Sequence, residues 1–267
     1  MRVAVLIGLS YQNSIERTLP GVSIDLYLMT KLADRAGMDR VIVITDLCTD
    51  EPEDILTEAI IGEFAERDLY HFIAQIKAQG RYERFRSKSW LLERLEQLTH
   101  DSTDLLIYYS GHGSKKQFIL PSLERLPMDS LLDCCDHPCR AFLIVDCCNA
   151  SLSLPYRYQR RFRLSSKERF IKGRVLSILS SQDGENAYSS RHGSTFTRAL
   201  ARSLGLVGVK KGPSHSLTSW LKELRSLYQH ATIDLRSSYP KEEMWPWLLG
   251  KRLNVTIGQG AVIVSLH

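Results

Sequence analysis

DLLIYYSGHG (Asp104–Gly113) and RAFLIVDCCNA (Arg140–Ala150) decide how this chain folds. Each stretch opens as an apolar, branched run without in/out alternation, the pattern of a strand buried on both faces of a parallel sheet. Each closes on residues that do chemistry: His112 between two glycines, then the adjacent Cys147 and Cys148. Open parallel sheets place their active sites beyond the carboxyl ends of neighbouring strands. A His and a Cys delivered there on successive strands form a candidate thiol–imidazole dyad. A free thiol, with a pKa of about 8.5, is mostly protonated at neutral pH, and a nearby imidazole raises its reactivity. The same imidazole must reach a leaving amine to protonate it. Glycines on both sides of His112 allow close backbone approach. The N–H of Gly113 and that of the nucleophilic Cys make a candidate oxyanion site, a contribution often worth ~3 kcal/mol.

Outward from these two runs, strand patterns recur at Val3–Leu9, Arg40–Thr45, Arg174–Ser181 and Ala261–Leu266. Helical patterns lie between them. Asp25–Ala36 carries Leu26, Met29 and Ala33 on one face, with Gly37 as a stop signal. Further helical spacing covers Asp54–Gln79, Ser89–Leu98 and Ser194–Leu204. Strand–helix alternation predicts one α/β layered domain rather than separate ones. No internal repeat or low-complexity tract interrupts it.

Six cysteines, including two adjacent pairs, do not resemble a disulfide framework, so a reducing, cytoplasmic setting is expected. No apolar stretch approaches the ~20 residues that span a bilayer, and RVAVLIGL at the N-terminus reads as a strand rather than a leader. No membrane partner is expected. The net charge of +5 is concentrated: Arg157–Arg174 holds eight Lys/Arg and one Glu, a local +7 that leaves −2 for the rest. This reads as a solvated basic linker, not a nucleic-acid surface. CCDHPC (Cys134–Cys139) offers Cys and His ligands, but tetrahedral zinc needs four, usually as two separated pairs, and no second cluster accompanies it. No metal and no cofactor are expected.

VAVLIGLSYQN, LPGVSID, VIVITD, DLLIYYSGHG and AFLIVDCCNASLSLPYRY together resemble the large-subunit region of type I metacaspases, which are caspase-fold cysteine peptidases. RVLSILSSQDGENAYSSRHGSTFTRALARSL is similar to the small-subunit region of the same fold. The resemblance implies an α/β caspase-like layered fold, with a central mainly parallel sheet flanked by helices. It divides the chain into a large-subunit-like part (1–156), a basic linker (157–173) and a small-subunit-like part (174–267). It implies a cysteine endopeptidase with His112 as the dyad imidazole and Cys148, third in the D-x-C motif, as nucleophile. Cys147 then points into the core, as period-two alternation requires. Metacaspases cleave after Arg or Lys, and the resemblance places Asp25, Asp146 and Ser110 in the pocket that binds that side chain. Buried carboxylates suit a guanidinium. An N-terminal helix acid for Asp25 and a capping role for Asp146 are the alternatives. Expected partners are therefore peptide or protein substrates with Arg or Lys at the cleavage site, bound by a monomer.

Departures from the family pattern carry their own expectations. Val22 stands where the family has Cys. After Cys148 the loop is two residues shorter than usual, with Asn149 for His and Ser153 where calcium-dependent members carry Asp. Lysines 115 and 116 replace an acid-rich stretch. A calcium site needs about 6–8 oxygen ligands, so calcium-independent activity is expected, as is self-cleavage within the basic linker. An insertion spans about 47–87 and reads as a lid, a partner surface or decoration. The shortened loop keeps a second reading open: a non-catalytic caspase-fold module that binds partners.

Overall fold

The computed structural model describes residues 1–12, 14–47, 71–154, 156–157, 171–190, 192–207, 217–237, 253–258 and 261–266. Most of the basic linker and residues 54–70 of the expected long helix lie outside them.

In chain order the elements are β1 (Arg2–Gly8), α1 (Val22–Arg35), β2 (Arg40–Thr45), α2 (Phe72–Ala78), β3 (Tyr82–Arg84), α3 (Lys88–Thr99) and β4 (Asp104–Ser110). Then follow β5 (Gly113–Ser114), β6 (Gln117–Ile119), β7 (Arg125–Pro127), α4 (Ser130–Asp133), β8 (Arg140–Asp146), β9 (Tyr156–Arg157) and β10 (Arg174–Leu179). The last group is β11 (Ser189–Ser190), β12 (Gly193–Ser194), α5 (Thr195–Ser203), α6 (Leu217–Leu227), β13 (Asp234–Ser237), β14 (Leu253–Gly258) and β15 (Ala261–Leu266).

Eight strands form one sheet in the order β3-β2-β1-β4-β8-β10-β13-β9. From β3 to β10 every pairing is parallel, whereas β13 and β9 add antiparallel strands at the far edge. Strands drawn from both ends of the chain thus share one sheet. Alternate side chains of the parallel strands enter two separate cores. Ala4, Leu6, Val43, Leu106, Tyr108, Phe142 and Ile144 pack with residues of α1, α2, α5 and α6. Val3, Val5, Ile44, Ile107, Tyr109, Leu143 and Val145 pack with α3, α4 and the small β5-β6-β7 sheet. Burial on both faces accounts for the unbroken apolar runs.

Three strands, β2, β4 and β8, begin and end where the sequence pattern puts them. Helix α1 starts three residues before the expected Asp25, and Asp25 lies in its first turn. The charged GRYERFRSK segment of the insertion supplies β3, which extends the sheet beside β2. Ala261–Leu266 forms a strand, but it pairs with β14 in a separate two-stranded sheet. Among the described residues no helix is long and apolar enough to cross a membrane.

Candidate active site

Register builds the site. Gly8 is level with Thr45 and with Ser110, and Ser110 is level with Asp146. The residues that follow these strand ends (Leu9–Tyr11, Asp46, Gly111–Gly113 and Cys147–Cys148) therefore emerge along one edge of the sheet.

His112 is held through both its backbone and its ring. Its N–H donates to the Tyr11 hydroxyl at 2.9 Å, and its carbonyl accepts from the Tyr109 hydroxyl at 3.0 Å and the Ile119 N–H at 3.0 Å. The imidazole lies 4.5 Å from the Tyr11 ring, centroid to centroid, tilted by 51°. Nε2 is 2.8 Å from the Arg17 carbonyl oxygen. A carbonyl only accepts, so this contact assigns a proton to Nε2 and leaves Nδ1 as the ring nitrogen outside it.

Cys148 is half-buried, while Cys147 is 2% exposed and packs in the α3-side core. Burial first, then the adjacent Asp146, pushes the Cys147 thiol well above its ordinary range. A buried thiol that resists ionisation is inert. The Cys148 sulfur accepts from the Ala187 N–H at 3.3 Å and lies 3.6 Å from the Ala187 carbonyl oxygen. Asn149 adopts the left-handed backbone region, with φ of 52°. It is anchored across the crevice: its N–H donates to the Glu185 carbonyl at 2.8 Å, and its Oδ1 accepts from the Gly184 N–H at 3.0 Å. Gly113 sits so close that a Cβ there would lie 2.4 Å from the Cys148 carbonyl oxygen and 2.6 Å from the Cys147 sulfur.

Asp25 and Asp146 meet on the α1/α5 side of the same edge, both buried. Asp25 accepts from the Ser110 hydroxyl at 3.0 Å and the Ser194 N–H at 2.8 Å. Asp146 accepts from the Thr197 hydroxyl at 2.6 Å, and Thr197 Oγ1 is 2.8 Å from the Tyr108 hydroxyl. Burial, then repulsion from Asp146, raises the Asp25 carboxyl to about 8 against the pull of its hydrogen bonds and of Arg198. Burial likewise raises Asp146. Two buried carboxyls this close cannot both ionise cheaply.

All six expected site residues thus come to one end of the sheet. Sequence reasoning did not single out Tyr11, Arg17, Asp46, Ser194 or Thr197, whose partners are remote in the chain. Ser194 was read only as a helix start, and Tyr11 stands three residues beyond the end of β1 in LSYQN. Elsewhere, Ser153 donates through its N–H to Asp129 Oδ1 at 2.8 Å. His137 Nε2 lies 2.9 Å from the Ser102 carbonyl oxygen, and burial pushes the Cys134 thiol to about 12. Among the described residues no three His, Cys, Asp or Glu side chains converge as metal ligands.

Comparison with protein families matches residues 1–254 to the caspase domain. No curated protein sequence matches the chain. Among the solved structures similar in fold are the following two. Caspase-1 from Spodoptera frugiperda is 15% identical with a TM-score of 0.49, over 85% of this chain and 76% of that one. A protein from Geobacter sulfurreducens is 13% identical with a TM-score of 0.48, over 91% of this chain and 95% of that one.

Proposed function

This chain belongs to the caspase-domain family of cysteine peptidases, and we propose that it is an endopeptidase of metacaspase type that cleaves after Arg or Lys. The observation that carries this reading is the buried Asp25–Asp146 pair, whose Asp146 ends β8 two residues before Cys148, level with Ser110 two residues before His112.

His112 Nδ1 takes the proton of Cys148, and the thiolate attacks the carbonyl carbon of the scissile bond. Negative charge develops on the carbonyl oxygen, and the N–H groups of Gly113 and Cys148 receive it. Collapse breaks the C–N bond while the imidazolium protonates the leaving amine, which leaves a thioester on Cys148. Water, deprotonated by the same imidazole, attacks the thioester and releases the acid. A guanidinium or ammonium in the pocket pairs with Asp25 and Asp146, oriented by Ser110, and stabilises both acids in their ionised form. An acidic side chain there would be repelled by the buried pair of acids. The reaction needs no metal, and we extend the reading to activity without calcium and to self-cleavage in the basic linker.

Turnover of short Arg-ending amide substrates tests the assignment. Cys148→Ala and His112→Ala are expected to abolish it, and Cys147→Ala to retain it; the reverse pattern for the two cysteines overturns the reading. One feature favours a second reading, a non-catalytic partner-binding module: the short loop after Cys148, with Asn149 in a left-handed conformation. An Arg-directed thiol-reactive probe separates the two, because a scaffold would leave Cys148 unlabelled in the folded protein.

A further inference from the structure

The loop between β1 and α1 leaves the sheet at Leu9 and closes on itself, the Leu19 N–H donating to the Ser10 carbonyl at 2.8 Å. Its first turn holds an anomaly. Tyr11 is 3% exposed yet adopts a φ of 57°, the left-handed region that disfavours a bulky side chain. Such a conformation persists only where the surroundings over-determine it, and it marks sites where geometry matters.

Asp46, the first residue past β2, supplies the constraint. Its two oxygens accept separately from the Ser10 N–H at 2.6 Å and the Tyr11 N–H at 2.7 Å. Hydrogen bonds from amides to a carboxylate are among the strong ones. Burial raises the Asp46 carboxyl, and these two amides draw it back down.

The held conformation directs Tyr11 at His112. The tyrosine hydroxyl has one proton, and the Ile119 carbonyl accepts it. Its lone pairs therefore face the His112 N–H at 2.9 Å. The Tyr109 proton goes to the His112 carbonyl, so the 3.3 Å contact between the two phenols has no proton of its own. The loop then turns on from Tyr11. The Tyr11 carbonyl accepts from the Ser14 N–H at 2.9 Å, and the Ser14 carbonyl accepts from the Arg17 N–H at 2.9 Å. This series ends at the Arg17 carbonyl that takes the Nε2 proton. A single loop thus grips His112 at its backbone, its ring face and its outer nitrogen.

We infer that Tyr11, locked in place by Asp46, is a positioning residue that sets the ring orientation of His112 and so keeps its Nε2 on the Arg17 carbonyl. The inference rests on the peptidase reading for its consequence in turnover, but the geometry it claims is measurable without turnover. Misplacement of a catalytic group by about 1 Å costs on the order of 100-fold in rate. Tyr11→Phe removes only the hydroxyl. It is expected to lower kcat by about 10- to 100-fold, with KM for an Arg amide within about twofold, and to displace the acid limb of the kcat–pH profile. In nitrogen-15 NMR of the imidazole, the Nε2–H signal of His112 should be sharp in the parent and exchange-broadened in the variant. Asp46→Asn, which keeps one acceptor oxygen, should show the same changes at smaller amplitude and serves if Tyr11→Phe does not fold. Unchanged kcat and an unchanged imidazole signal in a folded variant overturn the proposal. An inactive, probe-resistant parent overturns the peptidase reading instead. The imidazole signal then decides the positioning alone: altered in Tyr11→Phe it supports the proposal, and unaltered it refutes it.

Discussion

Replacing Asp25 by Asn should make the protein more stable at alkaline pH and less able to use basic substrates. The carboxyl is fully buried beside Asp146, and burial, then that neighbour, raises it to about 8. In the unfolded chain an Asp titrates near 3.9. The folded state therefore holds a proton that the unfolded state releases. Its contribution to stability is complete below about pH 4, falls as pH rises, and is lost above about pH 8. At 1.36 kcal/mol for each pH unit between those limits, the loss is on the order of 5 kcal/mol. An Asn side chain fits the same contacts: its oxygen accepts from the Ser194 N–H, and its amide donates to a rotated Ser110 hydroxyl. Near pH 4 the variant should lie within about 1 kcal/mol of the parent, the net worth of one hydrogen bond. At pH 9 it should exceed the parent by several kcal/mol. Urea unfolding midpoints of both proteins at pH 4, 6, 8 and 9 measure the divergence, with the m-value as a check on two-state behaviour. An Arg-ending amide ligand should raise the midpoint of the parent at pH 8 and leave that of the variant nearly unchanged. Parallel midpoint–pH curves for parent and variant would refute the reasoning, because they would mean that Asp25 titrates alike in both states.

Other expectations follow from single contacts. Gly113→Ala should reduce kcat/KM by at least about tenfold and stability by about 1–3 kcal/mol, since the new Cβ would stand 2.4 Å from the Cys148 carbonyl; near-normal turnover in the purified variant would contradict the placement of Gly113. Chelation should leave turnover of an Arg amide unchanged, and a loss restored only by calcium would count against the calcium-independent reading. Intact-mass spectrometry of the parent should show cuts between Arg157 and Arg174 that Cys148→Ala lacks; equal cutting in both would refute self-processing.

Much of the frame was legible because a parallel sheet advertises itself. Arg40–Thr45, Asp104–Ser110 and Arg140–Asp146 are apolar without alternation, and each is buried on both faces, so their ends could be read to the residue. The position of Ser194 as a helix start was equally local: its side chain accepts from the Phe196 N–H at 3.2 Å. That Cys147 faces the core was implied by the family resemblance, and alternation along the strand is consistent with it. By contrast, β3 hides in a charged segment because an edge strand of three residues buries too little to need an apolar pattern. The small β5-β6-β7 sheet is set by turns at Lys115, Lys116 and Leu123, all at positive φ in residues with no intrinsic preference for it.

By itself, then, the sequence determined the parallel α/β class and the strand ends that carry His112 and Cys148, while the acids near them were implied by the family resemblance. It could do so because burial on both faces writes an unbroken apolar run into adjacent residues. Only the tertiary structure decided that Asp46 holds Ser10 and Tyr11 across 36 and 35 residues, and that Ser194 reaches Asp25 across 169. It alone decided that the Arg17 carbonyl selects the tautomer of His112. A hydrogen bond between distant groups imposes no periodicity on the chain, since its partners are brought together by sheet register and not by spacing.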